Sequence, residues 1–247
     1  MTFKDHFSGH ADDYAAYRPT YPPGLFAYLA GLAPARELAW DAGCGSGQAA
    51  LGLAAHFARV VATDPSAEQI RHAVAHERIL YKVEPAERSS LAPSSADLIV
   101  VAQALHWFDL DRFYGEARRV LKPGGALAAW CYGLTRVSPE IDPIVDDFYR
   151  NVVGPYWPPE RRYIDERYAS LPFPFTELDA PAFEMSARWS LDEFVGYLGT
   201  WSAVKRYRRE RGEEALTLIR DRLARVWSPA QEKRAVRWPI HMRLGRQ

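Results

Sequence analysis

Asp41-Ala42-Gly43-Cys44-Gly45-Ser46-Gly47 is the stretch whose reading decides the fold of this chain. Before it stands Glu37-Leu38-Ala39-Trp40, short and mostly apolar, as a buried strand is. After it, residues 48–57 are Ala/Leu-rich and read as a helix. Glycines at every second position between a strand and a helix let the backbone come close to a ligand, because no Cβ intervenes. The helix N-terminus adds free N–H groups and a partial positive charge. The stretch is therefore expected to be a cofactor loop.

Its spacing excludes one cofactor class. A dinucleotide site requires Gly-x-Gly-x-x-Gly. Counted from Gly43 the third glycine falls on Gln48, and counted from Gly45 it falls on Ala50. The fingerprint fails in both registers, and what stands in its place is Asp-x-Gly-x-Gly-x-Gly.

Working downstream, Arg59–Asp64 is a β-branched strand ending in an acid. Residues 66–76 read as a helix that Ser66 can cap, with Glu68 in the first turn. Residues 80–83 give a third strand, and Ala96–Ala102 a fourth, continuously apolar as buried parallel strands are. Leu110–Val120 reads as a helix ended by Lys122-Pro123-Gly124-Gly125, and residues 126–132 as a fifth strand. Alternating strands and helices imply a parallel sheet covered on both faces. The Pro/Ser-containing connection 84–95 is too short for a full crossover helix.

Upstream, residues 10–17 suit a short helix stopped by Pro19, and Pro23–Leu32 a longer one. Phe3, Phe7, Tyr14, Tyr17 and Tyr21 fit either a flap docked over the domain or simple surface packing. Beyond Gly133 the pattern changes to prolines and aromatics. Helices are expected at 144–153, 191–201 and 213–227, and strands at Phe183–Trp189 and 235–244, the last limited by Pro239 to an edge or a bulge.

The bulk composition sets limits. Of 247 residues, 48% are apolar and 25% charged, the balance of a soluble globular protein. Thirty-one basic and 31 acidic residues cancel, so no global field draws the chain to nucleic acid or to an anionic membrane. Two cysteines, Cys44 and Cys131, are too few for a disulfide framework or a cysteine metal site, and no metal is expected. The polar, proline-broken first thirty residues lack a signal-peptide core, and the apolar run 98–108 is too short to span a bilayer. A cytoplasmic location is the expectation.

The glycine motif and five further places in order resemble the class I S-adenosylmethionine-dependent methyltransferases. Asp64 ends the second strand; Ala86-Glu87 follows the third; Ser95-Ala96-Asp97-Leu98-Ile99 opens the fourth. Gln103-Ala104-Leu105-His106-Trp107-Phe108 follows it, and Arg119-Val120-Leu121-Lys122-Pro123-Gly124-Gly125 closes the core. The 103–108 run, with Tyr17-Arg18-Pro19 and Tyr21-Pro22 upstream, is most similar to the methyltransferase type 11 group, including its trans-aconitate-methyltransferase-like members. The resemblance is good over 7–132 and only general beyond. It implies a Rossmann-like doubly wound α/β fold: a mostly parallel seven-stranded sheet with an antiparallel C-terminal edge strand and a helical lid. One domain is expected over 1–247, with a flap at 1–22, a cofactor-binding core at 23–132, and a lid and substrate region with the last strands at 133–247.

The resemblance also implies roles. S-adenosyl-L-methionine would lie over Gly43, Cys44 and Gly45. Asp64 would accept from the ribose hydroxyls, a charge-assisted pair, with Pro65 against the adenine. Ala86, through its backbone, or Glu87 would meet the adenine, and Gln103 and Ala104 would line the site. Asp41 would hold the loop and the cofactor's amino group. Arg18 or Tyr14 would meet its carboxylate. Cys44 reads as a small buried residue rather than a nucleophile, having no cationic neighbour in sequence.

His106 is the one acid–base candidate, placed after the fourth strand where ligands bind in such sheets. With an ordinary pKa of about 6.5 it would take a proton from an acceptor; the competing reading is that it only shapes the pocket. A sulfonium donor needs mainly orientation and water exclusion, and a carboxylate acceptor needs no deprotonation. The acceptor is expected to be a small molecule offering a carboxylate or hydroxyl oxygen. Lys205-Arg206-Tyr207-Arg208-Arg209-Glu210-Arg211 reads either as an anion site or as a solvated helix end. The absence of an Asn/Asp-Pro-Pro-aromatic motif after strand four argues against DNA bases and protein glutamine as acceptors. The alternative to catalysis is a cofactor-binding sensor or partner protein. Neither the acceptor nor the oligomeric state is legible at this level.

Overall fold

The computed structural model describes residues 19–247. Five strands form the parallel body: β1 (Leu38–Ala42), β2 (Arg59–Asp64), β3 (Ile79–Val83), β4 (Ala96–Ala102) and β5 (Leu121–Tyr132). Three more follow: β6 (Thr176–Glu177), β7 (Phe183–Trp189) and β8 (Arg234–Arg246). The sheet runs β3-β2-β1-β4-β5-β8-β6, with β7 also on β8. β8 is antiparallel to β5, as expected of the C-terminal strand, and β6 and β7 pair with it in turn. The eighth strand, beyond the seven expected, is the two-residue β6, too short to leave a periodic signal.

β1 is buried along its whole length and β4 at all but its last residue, which is why both read as unbroken apolar runs. Alternation sends Leu98 and Val100 to one face of the sheet and Ile99 and Val101 to the other. The first face carries helices α1 (Pro23–Leu32) and α2 (Gln48–Ala54), through Leu25, Phe26, Leu29 and Leu53. The second carries α4 (Leu110–Val120) through Phe113, Tyr114, Ala117 and Val120. Asp97 at the foot of β4 is fully buried, accepts the Glu37 and Leu38 N–H groups, and pairs with Lys122 at 2.9 Å. This acid and this lysine thus splice β1, β4 and β5 at their lower ends.

Helix α3 (Ala67–Arg71) is shorter than expected over 66–76. Ser66 does cap it, its Oγ accepting the Gln69 N–H at 3.2 Å. No residue of α3 is buried, and Val74 beyond it is exposed, so no apolar contact holds further turns. The 84–95 connection carries no helix, as the sequence suggests. Beyond β5 lie α5 (Asp142–Asp147), a π turn at Phe148–Val152, a 3-10 turn at Gly154–Tyr156 and α6 (Arg161–Asp165). The expected single helix over 144–153 is therefore two pieces.

After β7 come α7 (Leu191–Gly199), α8 (Ser202–Arg211) and α9 (Thr217–Val226). Their Phe194, Val204 and Leu223 share one buried cluster with Leu25 and Leu98. Pro239 lies one residue past the last β5 pair, Tyr132–Ile240, where β8 keeps β7 beside it and only the Arg136–Arg237 bridge on its other side. Among the described residues no helix is long and apolar enough to cross a membrane.

Candidate functional site

The strand order reverses between β1 and β4, and the crevice at such a switch point is where open α/β sheets bind ligands. The glycine loop fills the upper end of β1. Gly43, Gly45 and Gly47 have φ of +70°, +54° and +84°, a region that side chains strain. A Cβ on Gly43 would also stand 2.8 Å from the Ala104 Cβ, and one on Gly47 would run into the Tyr81 hydroxyl. The loop amides are spent inside the protein. Gly43 and Cys44 N–H donate to the Thr63 carbonyl, Gly45 N–H to Asp64 Oδ2 at 2.9 Å, and Gly47 N–H to the Cys44 carbonyl.

Asp41 is fully buried, and neither carboxylate oxygen closes a hydrogen bond among the described residues. Burial pushes its pKa up to about 7; the nearby Ala50 N–H opposes this and the Asp64 charge adds to it. A buried acid in this state suits a cationic neighbour. Asp64, half-buried, accepts the Gly45 N–H through Oδ2 and the Ser66 N–H through Oδ1 at 2.8 Å. It thereby fixes the loop's height over β2.

Other expected residues converge on the same end of the sheet. Pro65 is half-buried beside Asp64, and Ala86 is buried beyond β3. Glu87 accepts the Asp109 N–H at 2.9 Å, so its side chain ties this loop to the start of α4. Gln103 sits at φ +59°, and its side-chain amide both donates to the Tyr132 carbonyl and accepts the Tyr132 N–H at 2.8 Å. The Gln103 side chain and its backbone N–H, which donates to the Trp130 carbonyl, are thus turned to β5, and Ala104 is the residue that faces the loop at Gly43. The Cys44 thiol is pushed well up by burial and then by the Asp41 and Asp64 charges, the opposite of a reactive thiolate.

His106 lies in a 3-10 turn, Leu105–Trp107, on top of β4. It is buried, its Nδ1 is 2.9 Å from the Tyr168 hydroxyl, and its ring lies 4.6 Å from that of Trp107. Burial, and next the charge of Arg161, lower its pKa to about 3. An imidazole this weakly basic is neutral near neutral pH, which favours the pocket-shaping reading of His106 over the acid–base one. Burial also pushes the Tyr168 hydroxyl well above its usual range, so Tyr168 stays a donor. A cavity of about 260 Å³ opens beside the turn, lined by His106, Trp107, Phe108, Glu160, Tyr163 and Leu171 among others.

Two expected contributors, Tyr14 and Arg18, lie outside the described residues. The neighbouring segment does reach the site: the Gln48 side chain donates to the Pro19 carbonyl, and Tyr21 is buried edge-on to Trp130 and Tyr132. The basic stretch 205–211 forms the end of α8, with Arg206, Arg208, Arg209 and Arg211 exposed. Arg206 pairs with Glu210, Arg208 with Glu214, and Arg211 donates to the Tyr156 hydroxyl, the arrangement of a solvated helix end. Arg161, Trp157 and Tyr168 were not singled out from sequence. Only the crowding of prolines and aromatics around 155–168 marks that segment, and nothing in it signals which side chain turns inward.

Residues 40–129 match the model of a methyltransferase domain family, type 11. The chain is 32% identical over 252 residues to a protein of Dictyostelium discoideum named as a candidate methyltransferase, covering 99% of this chain and 96% of that one. A solved structure named as a candidate type II methyltransferase, from Anaeromyxobacter dehalogenans, is 52% identical. The two superpose with a TM-score of 0.89 over 93% of this chain and 98% of that chain. A Saccharomyces cerevisiae protein named as a candidate S-adenosylmethionine-dependent methyltransferase is 32% identical over 128 residues, 48% of this chain and 44% of its own length.

Proposed function

The chain belongs to the class I S-adenosylmethionine-dependent methyltransferases, and on that premise we propose that it methylates a carboxylate oxygen of a small acceptor. The observation that carries the acceptor class is the burial of His106 against Tyr168 and Trp107, which drives its imidazole toward the neutral, weakly basic form. A hydroxyl acceptor would need a base, and the imidazole at the crevice is too weak to serve. A carboxylate is ionised at neutral pH and attacks without one.

S-adenosyl-L-methionine supplies an electrophilic methyl on a sulfonium with a neutral thioether as leaving group. The residues present fit it: Gly43 and Gly45, on either side of Cys44, keep the cradle free of a Cβ at those two positions, and the buried Asp41 carboxylate lacks a hydrogen-bond partner among the described residues. Asp41 would answer the ammonium end, and Asp64, at the end of β2, would accept from the ribose hydroxyls. Ala86 through its backbone, Glu87 and Pro65 would border the adenine, and Gln103 and Ala104 would form the wall. Tyr14 and Arg18 remain candidates for the carboxylate end. His106, braced by Tyr168, would orient the acceptor and exclude water, which an in-line displacement chiefly requires.

The test is calorimetry with S-adenosylmethionine, S-adenosylhomocysteine and NAD, followed by transfer of labelled methyl to matched panels of acids, alcohols and amides. Binding of the first two ligands alone, with label entering the acids, is expected. Label entering alcohols in preference to acids would overturn the carboxylate reading. Tight cofactor binding with no transfer to any panel would mark a sensor instead.

A further inference from the structure

Arg161 opens α6, which packs against the 105–107 turn. Its side chain is only 16% exposed, and its guanidinium lies 5.2 Å from the Tyr149 ring centre and 4.6 Å from that of Trp157. The Nε–H donates to the Tyr149 hydroxyl at 2.7 Å, and that hydroxyl donates to Asp165 Oδ1 at 2.6 Å. Asp165 is thus engaged through tyrosine and stands 3.6 Å from Nε, too far for a hydrogen-bonded pair.

A guanidinium carries five N–H donors in a fixed fork, and among the described residues the tyrosine bond is the one hydrogen bond this fork makes. The Trp157 indole Nε1 beside it is buried and has no hydrogen-bond partner among the described residues. Two adjacent side chains, one cationic, thus keep N–H groups that no acceptor among the described residues takes up, and buried donors are ordinarily paired. The charge also reaches inward, since it acts on His106 above β4 and on Cys131 in β5. Arg161 thus stands on the helix packed against the turn that carries His106, with its aromatic neighbours holding the fork rigid.

We infer that Arg161 is the specificity-determining residue of the acceptor site, and that its guanidinium fork, assisted by the Trp157 indole N–H, holds a carboxylate of the acceptor. The inference rests on the methyl-transfer reading for the identity of the site. It differs from a purely structural role for Arg161 in what its loss does: acceptor binding falls while cofactor binding does not.

The experiment titrates protein saturated with S-adenosylhomocysteine with succinate, citrate and benzoate by calorimetry. Arg161→Gln, Arg161→Lys and Trp157→Phe are compared with wild type, each with its own S-adenosylhomocysteine affinity. We expect at least one acid to bind wild type, Arg161→Gln to weaken it by roughly 30-fold, and Arg161→Lys to lose less. Trp157→Phe keeps the ring and drops the N–H, and should weaken binding by roughly 5-fold. Cofactor affinity should stay within about twofold in all three. With an acid that is methylated, the loss should fall on KM and spare kcat. Failure of all three acids to bind wild type, unchanged acid affinity in Arg161→Gln, or a parallel loss of cofactor affinity would each overturn the inference. Acid binding that depends on Arg161 without methyl transfer would instead sink the functional reading and leave the anion site standing.

Discussion

Asp41 and His106 are both buried ionisable side chains, and burial drives each toward its neutral form, so their pKa values move in opposite directions. Asp41 rises from 3.8 to about 7, so the folded protein without cofactor holds a proton there that the unfolded chain has released. Its contribution to stability is therefore present at acid pH and lost as pH climbs toward and past 7. An ammonium brought beside it favours the carboxylate, so cofactor binding near pH 6 should release close to one proton. Calorimetry in buffers of different ionisation enthalpy measures this, and Asp41→Asn should abolish it. His106 falls from 6.5 to about 3, so the unfolded chain binds the extra proton between these values. Stability from its neutral burial is complete above 6.5 and drains as pH falls toward 3, at up to about 1.4 kcal/mol per unit. His106→Gln should flatten that part of a denaturation-versus-pH curve, and the rate profile of the wild type should show no limb near 6.5. The residues that were legible in sequence, Asp41, Gly43, Gly45 and Asp64, are set by local backbone: a strand end and the turn that leaves it. Arg161 and Tyr168 were not legible. Their place depends on how a proline-rich segment folds back over β4, and Tyr168 on a φ of +61° that a tyrosine gives no sign of.

Among the elements, the strands were read with the least error because both faces of β1 and β4 are covered and the apolar signal is unbroken. Arg59–Asp64, Ala96–Ala102, Leu110–Val120 and Phe183–Trp189 stand where the sequence puts them. Among strands, the two-residue β6 was missed and β5 begins at Leu121 rather than at the expected 126, and the other errors fall on helices whose ends are set by contacts. α3 stops for want of burial, and the 144–153 helix changes to a π turn at Phe148, whose ring is buried near Trp201. Helix α7 has a stop–start signal of its own. The Ser190 hydroxyl accepts the Glu193 N–H and Glu193 accepts the Ser190 N–H, a reciprocal cap. Ser190→Ala should cost about 1 kcal/mol, or roughly 2–4 °C in Tm. Thermal melts check this, and because the cap belongs to the lid helices, cofactor affinity should not follow.

At the scale of the molecule, β8 is the joint between the parallel body and the later strands. It pairs with β5 from Ile240 to Arg246 and with β7 from Arg234 to Ile240. One buried cluster runs from α1 through the sheet to α7 and α9, so the cofactor end and the lid share a core. Saturation with S-adenosylhomocysteine at about 100 times its Kd should add about 2.7 kcal/mol and raise the melting point of the whole chain in one transition. Two separate transitions, with only the lower-numbered half responding, would show that the halves fold apart. The glycine loop has a consequence at this scale too. Its amides at 43, 44, 45 and 47 are committed to Thr63, Asp64 and Cys44 before any ligand arrives. A nucleoside triphosphate shares its adenosine half with S-adenosylmethionine, but those four amides are not free to receive its anionic tail. ATP and NAD should therefore be poor competitors even at the millimolar levels of a growing cell, and the enzyme's occupancy should follow the ratio of S-adenosylmethionine to its spent product rather than the energy charge.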